Sequence, residues 1–237
     1  MAIIESGKGG RRLAAVNQAV EAAGLSPGML LTDACAILPS LKTEEAVPRD
    51  EAKDLKRLAA WCRRYTPWTA PNGADGIALD VTGACHLLGG ERPLLGDLME
   101  KLFSLGFTAH AAMAGTLGAA WALARFGVSN RIVAPEGEEA RFIAGLPVKG
   151  LRLDQSSCTL LKRLGLGTIG QLFDLPREAL RARLGPGMLL RLDQALGTQA
   201  EPLRLALLLL IPQLPRARPA SLKLESHSTD SAQPWIL

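Results

Sequence analysis

Between Gly76 and Thr82 apolar and polar positions alternate with a period of two. Ile77, Leu79 and Val81 are interleaved with Ala78, Asp80 and Thr82, which is the pattern of a half-buried strand. Around it the period changes repeatedly. "RRLAAVNQAVEAAGLSPGMLLTDACAIL" reads as a helix from about Arg12 to Ala23 stopped at Gly24, a Ser-Pro-Gly turn, and a second helix from about Thr32 to Leu38 stopped by Pro39. Asp50 to Arg64 reads as an amphipathic helix with Leu55, Leu58 and Cys62 on one face. "YTPWTA" and "DGIALDVT" then predict two strands, "ERPLLGDLMEKLFSLG" a helix, "FTAHAAMA" a third strand and "TLGAAWALARFG" a helix that packs through small residues. This order predicts an α/β (α+β) fold, a split βαβ layer with helices on one face.

From Leu146 the pattern becomes a series of short helices punctuated by glycine. In "LKRLGLGTIGQLFDLP" a helix ends at Gly165, the chain turns through Leu166 and Gly167, Thr168 can cap the next helix and Pro176 ends it. Such a helix-hairpin-helix exposes backbone N–H groups to a phosphate, and nearby cations add charge. A plain helical packing module is the competing reading. After Glu201 a leucine run gives way to Pro, Ser and Arg without period; residues 201–237 are expected to form a poorly ordered tail, and deleting residues 204–237 is expected to leave thermal stability intact or raise solubility. The organisation expected is therefore 1–145, 146–200 and 201–237.

Composition narrows the class. With 237 residues, 48% of them hydrophobic, the chain can bury a core. The run Leu203–Ile211 is broken by Arg204 and is half of what a bilayer span needs, and no signal peptide is visible. Cys35, Cys62, Cys85 and Cys158 are scattered without a CxxC pair, so neither a zinc site nor a disulfide framework is indicated and a cytoplasmic home is expected.

The charge is +4 overall, but residues 1–145 carry 15 Lys+Arg against 16 Asp+Glu, whereas 146–200 carry 8 against 4. The basic excess thus falls on the glycine-punctuated segment, as a nucleic-acid footprint would. A solvated Arg-rich helical surface explains the charge equally well.

The candidate chemistry lies in "NGADGIALDVTGACHLLGG". Asp75 stands at the mouth of the strand, beside glycines that let a ligand approach the backbone, and points to the face opposite Asp80. Carboxylates so placed hold metal ions in phosphoryl-transfer sites. The alternatives are a solvated turn aspartate at Asp75 and a structural one at Asp80. His86 beside Cys85 has no second pair nearby and is expected to be a turn residue. "QLF" at Gln171–Phe173 is expected inside a helix with Leu172 and Phe173 in the core, not as a sliding-clamp peptide.

These stretches also resemble a known family. "LAAVNQAVEAAGLSPGMLLTDACAILPSL", "GADGIALDVTGACHLLGG", "GFTAHAAMAGTLGAAWALAR" and "LKRLGLGTIGQLFDLP" occur in the order of fingers, palm and thumb in Y-family (translesion) DNA polymerases. "WCRRYTPW", "DVTGACHLLGG" and "AAWALARFG" are most similar to the non-catalytic ImuB-type branch. The resemblance implies a polymerase-like palm with small helical fingers and an all-α helix-hairpin-helix thumb.

It also implies what a working enzyme needs: three acids for two metal ions, and polar residues for the triphosphate. The first acid belongs to a strand before the fingers, which this sequence is expected to lack. The adjacent acidic pair of the palm strand reads Asp75-Gly76, the Tyr and Arg of the fingers helix fall on Gln18 and Glu21, and the Asn-Lys pair falls on Thr116-Leu117. Asp75 is then a relic ligand with its partner lost at Gly76, and no catalytic residue, metal or cofactor is expected. Mg²⁺ enters only under an alternative, an active low-fidelity polymerase whose site is completed by an acid such as Glu5.

A second alternative is an inactive fragment of such a protein. The leading expectation is a non-catalytic scaffold for DNA repair and mutagenic translesion synthesis. It would grip the DNA backbone without sequence preference through Lys149, Lys162, Arg163, Gly165, Gly167 and Thr168. The partners implied by the resemblance are a replicative-type error-prone polymerase, the sliding clamp and a RecA-like accessory protein, in a bacterial cytoplasm and away from membranes.

Overall fold

The structure is a computed structural model that describes residues 1–7, 9–46, 48–201 and 207–213. At the N-terminus β1 (Ala2–Gly7) and β2 (Gly10–Val16) form a hairpin, and β3 (Thr43–Glu45) joins β1 in parallel to give the order β2-β1-β3. Arg12–Val16 is therefore strand, not the start of a helix. Gly9 and Gly10, with φ of +100° and +109°, close a turn that a side chain would strain. The turn sets Ile3 and Ile4 against Ala15 and Leu13, and this pairing outweighs the helical propensity of the alanines.

Helix begins only at α1 (Gln18–Glu21), where Asn17 Oδ1 accepts the Val20 N–H at 3.1 Å. Ala2, Ile4, Leu13, Val20, Leu25 and Ala34 of α2 (Leu31–Ile37) bury a small core of their own.

The larger sheet has the order β4-β5-β8-β6-β7. Its strands are β4 (Thr69–Asn72), β5 (Gly76–Asp80), β6 (Thr108–Ala114), β7 (Arg131–Val133) and β8 (Leu207–Gln213). The alternation in β5 and β6 reads directly as two faces. Ile77, Leu79, Val81, Ala109, Ala111 and Met113 bury against α3 (Pro48–Trp61) and α4 (Glu91–Ser104). Ala78, Ala112 and Ala114 bury against α5 (Leu117–Phe126) and the helices that follow it. Helices thus cover both faces rather than one, because β5 and β6 carry apolar residues at odd and even positions alike.

The second half of the chain is helical: α6 (Glu139–Ile143), α7 (Gln155–Arg163), α8 (Arg177–Leu184) and α9 (Pro186–Leu196). It docks on the sheet through α5 and α9. A Cβ on Gly118 would lie 2.8 Å from Ala195 Cα, so only glycine lets the helices approach this closely.

The expectation of a structureless tail fails at Leu207–Gln213. This leucine run is the middle strand of the sheet, antiparallel to both β5 and β6. Paired on both edges, it is written as an unbroken apolar run without period, which is why the sequence alone reads it as tail. Among the described residues β8 is what joins β5 to β6, so deleting it is expected to lower stability, against the expectation from the sequence. Residues 202–206 and 214–237 lie outside the described residues.

Candidate functional site

Asp75 sits in the turn between β4 and β5, where Asn72 pairs with Gly76. Its carboxylate is already taken. Arg125, at the end of α5, donates from Nη1 to Asp75 Oδ2 at 2.9 Å and from Nη2 to Oδ1, a two-pronged ion pair. The guanidinium stacks on Trp121, one turn earlier in the helix, with Cζ 4.6 Å from the ring centroid. Arg125 Nε is buried without a partner, the residual cost of holding the fork in this position. A cation supplied by the protein thus neutralises the acid that the resemblance marks as a metal ligand.

The other expected participants do not converge on it. Gly76 offers no side chain. Glu5, the candidate for the missing acid, lies in β1 opposite Arg12 in the smaller sheet, so it is not a strand neighbour of Asp75. Within the larger sheet the strands beside β5 are β4 and β8, whose sequences TAPN and LLLLIPQ contain no acid. Among the described residues no group of three His, Cys, Asp or Glu could hold a metal ion. The residues present therefore do not fit the two metal ions of a polymerase.

Asp80 is structural: its Oδ1 accepts the Thr82 N–H at 3.0 Å and shapes the turn after β5. His86 is exposed, while the Cys85 thiol bonds to Val81 O at 3.5 Å and burial pushes its pKa up.

The positions that the resemblance assigns to the triphosphate do not gather around Asp75 either. Ile77 and Ala111 both lie across from Leu210, and Asp80 and Ala114 both across from Leu207. Asp75, which precedes Ile77, and Thr116, which follows Ala114, therefore stand at opposite ends of the sheet. Thr116 accepts the Ala119 N–H at 3.1 Å as the cap of α5 and donates to Ala195 O at 2.9 Å, tying sheet to α9. Leu117 is buried. Glu21 is exposed at the end of α1, and the side chain of Gln18 lies outside what is described.

The glycine hairpin forms between α7 and a single 3-10 turn at Gly170–Leu172. Gly165, at φ +76°, ends α7, and its N–H returns to Lys162 O at 3.1 Å. The N–H groups of Gly167 and Thr168 are not free. Both donate to Gln171 Oε1, at 2.7 and 3.0 Å, and the Ile169 N–H donates to Leu146 O at 2.9 Å.

Thr168 therefore does not cap a helix with its side chain. Gln171 reaches back instead, as the last residue of a Thr-x-x-Gln capping pattern that was legible in "TIGQ". Leu172 is buried as expected, whereas Phe173 is 37% exposed and α8 starts only after Pro176.

Around the loop, Lys149, Lys162 and Arg163 are exposed. Among the described residues none of them has an acidic side chain within 4.0 Å, whereas Arg177 pairs with Asp193, and Arg152 and Arg191 pair with Glu201. Sequence reading missed Arg125 and Gln171. The first is fifty residues from its partner, and only its spacing from Trp121 was visible.

Residues 1–125 match the model of the IMS family, described as impB/mucB/samB. The chain belongs to this family. Within it, the protein ImuB of Caulobacter vibrioides is 47% identical over 180 residues, covering 76% of this chain and 39% of that protein. DNA polymerase IV of Dehalococcoides mccartyi is 26% identical over 212 residues, 86% of this chain and 53% of the polymerase.

Solved structures show the same architecture. DinB from Sulfolobus solfataricus superposes with a TM-score of 0.64 at 18% identity over 85% of this chain and 60% of that one. The insertion ternary complex of Dbh DNA polymerase gives 0.66 at 18% over 85% and 61%. The fold is thus that of a Y-family polymerase, with the expected mixed α/β palm. The chain spans 39% of the length of its ImuB relatives. Among the described residues no helix is long and apolar enough to cross a membrane.

Proposed function

We propose that this chain is a non-catalytic Y-family homologue that serves as a DNA-binding scaffold in DNA repair and mutagenic translesion synthesis. The observation that carries the reading is the Asp75–Arg125 pair. The one palm acid that remains is bound by an internal cation, its neighbour is Gly76, and β8 beside it brings no carboxylate. Two-metal phosphoryl transfer needs bridging acids that clamp both the attacking and leaving oxygens. The active-polymerase alternative would need Glu5, which lies in the other sheet.

The proposed division of labour is fingers and palm over 1–145 and thumb over 146–200, with Lys149, Lys162 and Arg163 facing the phosphate backbone without reading sequence. A phosphate would reach the amides of Gly167 and Thr168 by displacing Gln171. By analogy with the family, the partners proposed are an error-prone replicative-type polymerase, the sliding clamp and a RecA-like accessory protein in a bacterial cytoplasm.

One preparation tests both halves of the proposal. On a primer-template the chain should bind but add no nucleotide in Mg²⁺ or Mn²⁺, and Gly76→Glu should not rescue it. Lys162→Ala/Arg163→Ala should flatten the salt dependence of binding by about 0.9 per lost phosphate contact. Template-dependent extension abolished by Asp75→Ala would overturn the non-catalytic reading, and an unchanged salt slope would move the DNA contact elsewhere.

A further inference from the structure

Helix α4 buries Leu94, Leu95, Leu98, Met99 and Leu102. Its last apolar residue, Phe103, does not follow them. It extends the ridge of Leu95 and Met99 at helical spacing, but the ridge leaves the core there and Phe103 is 77% exposed. A surface apolar residue standing alone needs no explanation. Phe103 is not alone: with Met99 and the half-buried Phe107 it lines a groove of about 320 Å³ between the end of α4 and the edge strand β7. Glu100, Asn130 and Arg131 line the same groove.

Its charged groups have no counter-charge within the chain. Among the described residues no basic side chain lies within 4.0 Å of the Glu100 carboxylate, the adjacent Lys101 being paired with Asp97 at 2.7 Å. Nor does an acidic side chain lie within 4.0 Å of the Arg131 guanidinium. The backbone of Arg131, by contrast, is satisfied. Its N–H donates to Ser129 Oγ at 3.2 Å, and the same hydroxyl donates to its C=O at 3.1 Å. Ser129 thus blunts this part of the edge against an added strand. What the groove offers is side chains: an apolar floor with one charge of each sign.

That set selects its occupant. A nucleic-acid backbone would bring phosphates against Glu100, and a purely apolar surface would desolvate both charges without pairing them. A peptide segment supplies an apolar anchor and both counter-charges together. We propose that the groove docks a segment of a partner protein in which one large apolar side chain, seated between Phe103 and Phe107, is flanked by a carboxylate that meets Arg131 and a cation that meets Glu100. The site uses no residue of the Asp75 turn or of the Gly165–Gln171 loop, so it stands independently of the DNA-binding reading.

Short fluorescein-labelled peptides titrated into the full chain, with binding followed by anisotropy, test this. The probe carries a central Phe flanked by Asp and Lys, made in both orders, and its controls carry Ala in place of Phe or Lys in place of Asp. The probe should bind in at least one order, and either the Ala control or Phe103→Ser in the chain should weaken binding about thirtyfold, as loss of an interface anchor does. Arg131→Glu should weaken the Asp-bearing probe and strengthen the control with Lys on both sides, a reversal that a misfolded variant would not give. Lys162→Ala/Arg163→Ala should change neither. Absence of binding by every peptide, or binding that Phe103→Ser and Arg131→Glu leave unchanged, would overturn the proposal. A dimer of the unsubstituted chain that Phe103→Ser dissolves would give the groove to a second copy and overturn it as well.

Discussion

The Asp75 turn and the Gly165–Gln171 loop are both places where a ligand-binding group has been satisfied from within the chain. They differ in how easily each could be reopened. At Asp75 the internal partner is a guanidinium, doubly bonded and stacked on Trp121. A metal ion would have to displace one cation to gain one carboxylate, and the neighbouring Gly76 and β8 would add none. At the loop the partner is the neutral oxygen of Gln171. A phosphate would replace it with a charged acceptor, forming stronger bonds to the same N–H groups. Lys162 and Arg163 are exposed beside it. On the proposed reading the carboxylate at Asp75 is held by an internal cation, whereas the loop amides are only capped by a neutral oxygen.

Two variants sharpen this contrast. Arg125→Ala should cost the more, about 1–2 kcal/mol, because it removes the stacked cation over Trp121 and the buried stem along with a half-exposed ion pair. Thermal or urea unfolding measures it, and a loss below about 0.3 kcal/mol would mean that the pair is incidental, since exposed pairs alone are worth that little. Gln171→Ala should cost about 0.5–1.5 kcal/mol, one net hydrogen-bond contribution, because water can reach the freed amides. Its DNA affinity should hold or rise. A fall in affinity would make Gln171 itself a DNA contact and remove the capping account.

Much of this was legible in the sequence, but unevenly. The strands β5 and β6 and the helices α3, α4 and α5 were visible as bounded apolar or amphipathic segments set off by turn residues. The β1–β2 hairpin was hidden, since its alanines favour helix and only the Gly-Gly turn and the partner strand decide otherwise. β8 was hidden by its uniformity: the run LLLLIPQ has no alternation to read.

That Gly76 stands where the resemblance expects a second acid could be read from the sequence, but the pairing of Asp75 with Arg125 could not. It depends on α5 and the β4–β5 turn meeting in space. The Gln171 cap, by contrast, was a local pattern available in four residues.

The central claim is that Arg125 has replaced a metal ion as the counter-charge of Asp75. Mn²⁺ binding to the unsubstituted chain, followed by the paramagnetic signal of the free ion, tests it most directly. The account predicts that Mn²⁺ titrates as if no protein site were present, with the same curve for Asp75→Ala. Stoichiometric Mn²⁺ binding that disappears in Asp75→Ala would contradict it and restore Asp75 as a working ligand.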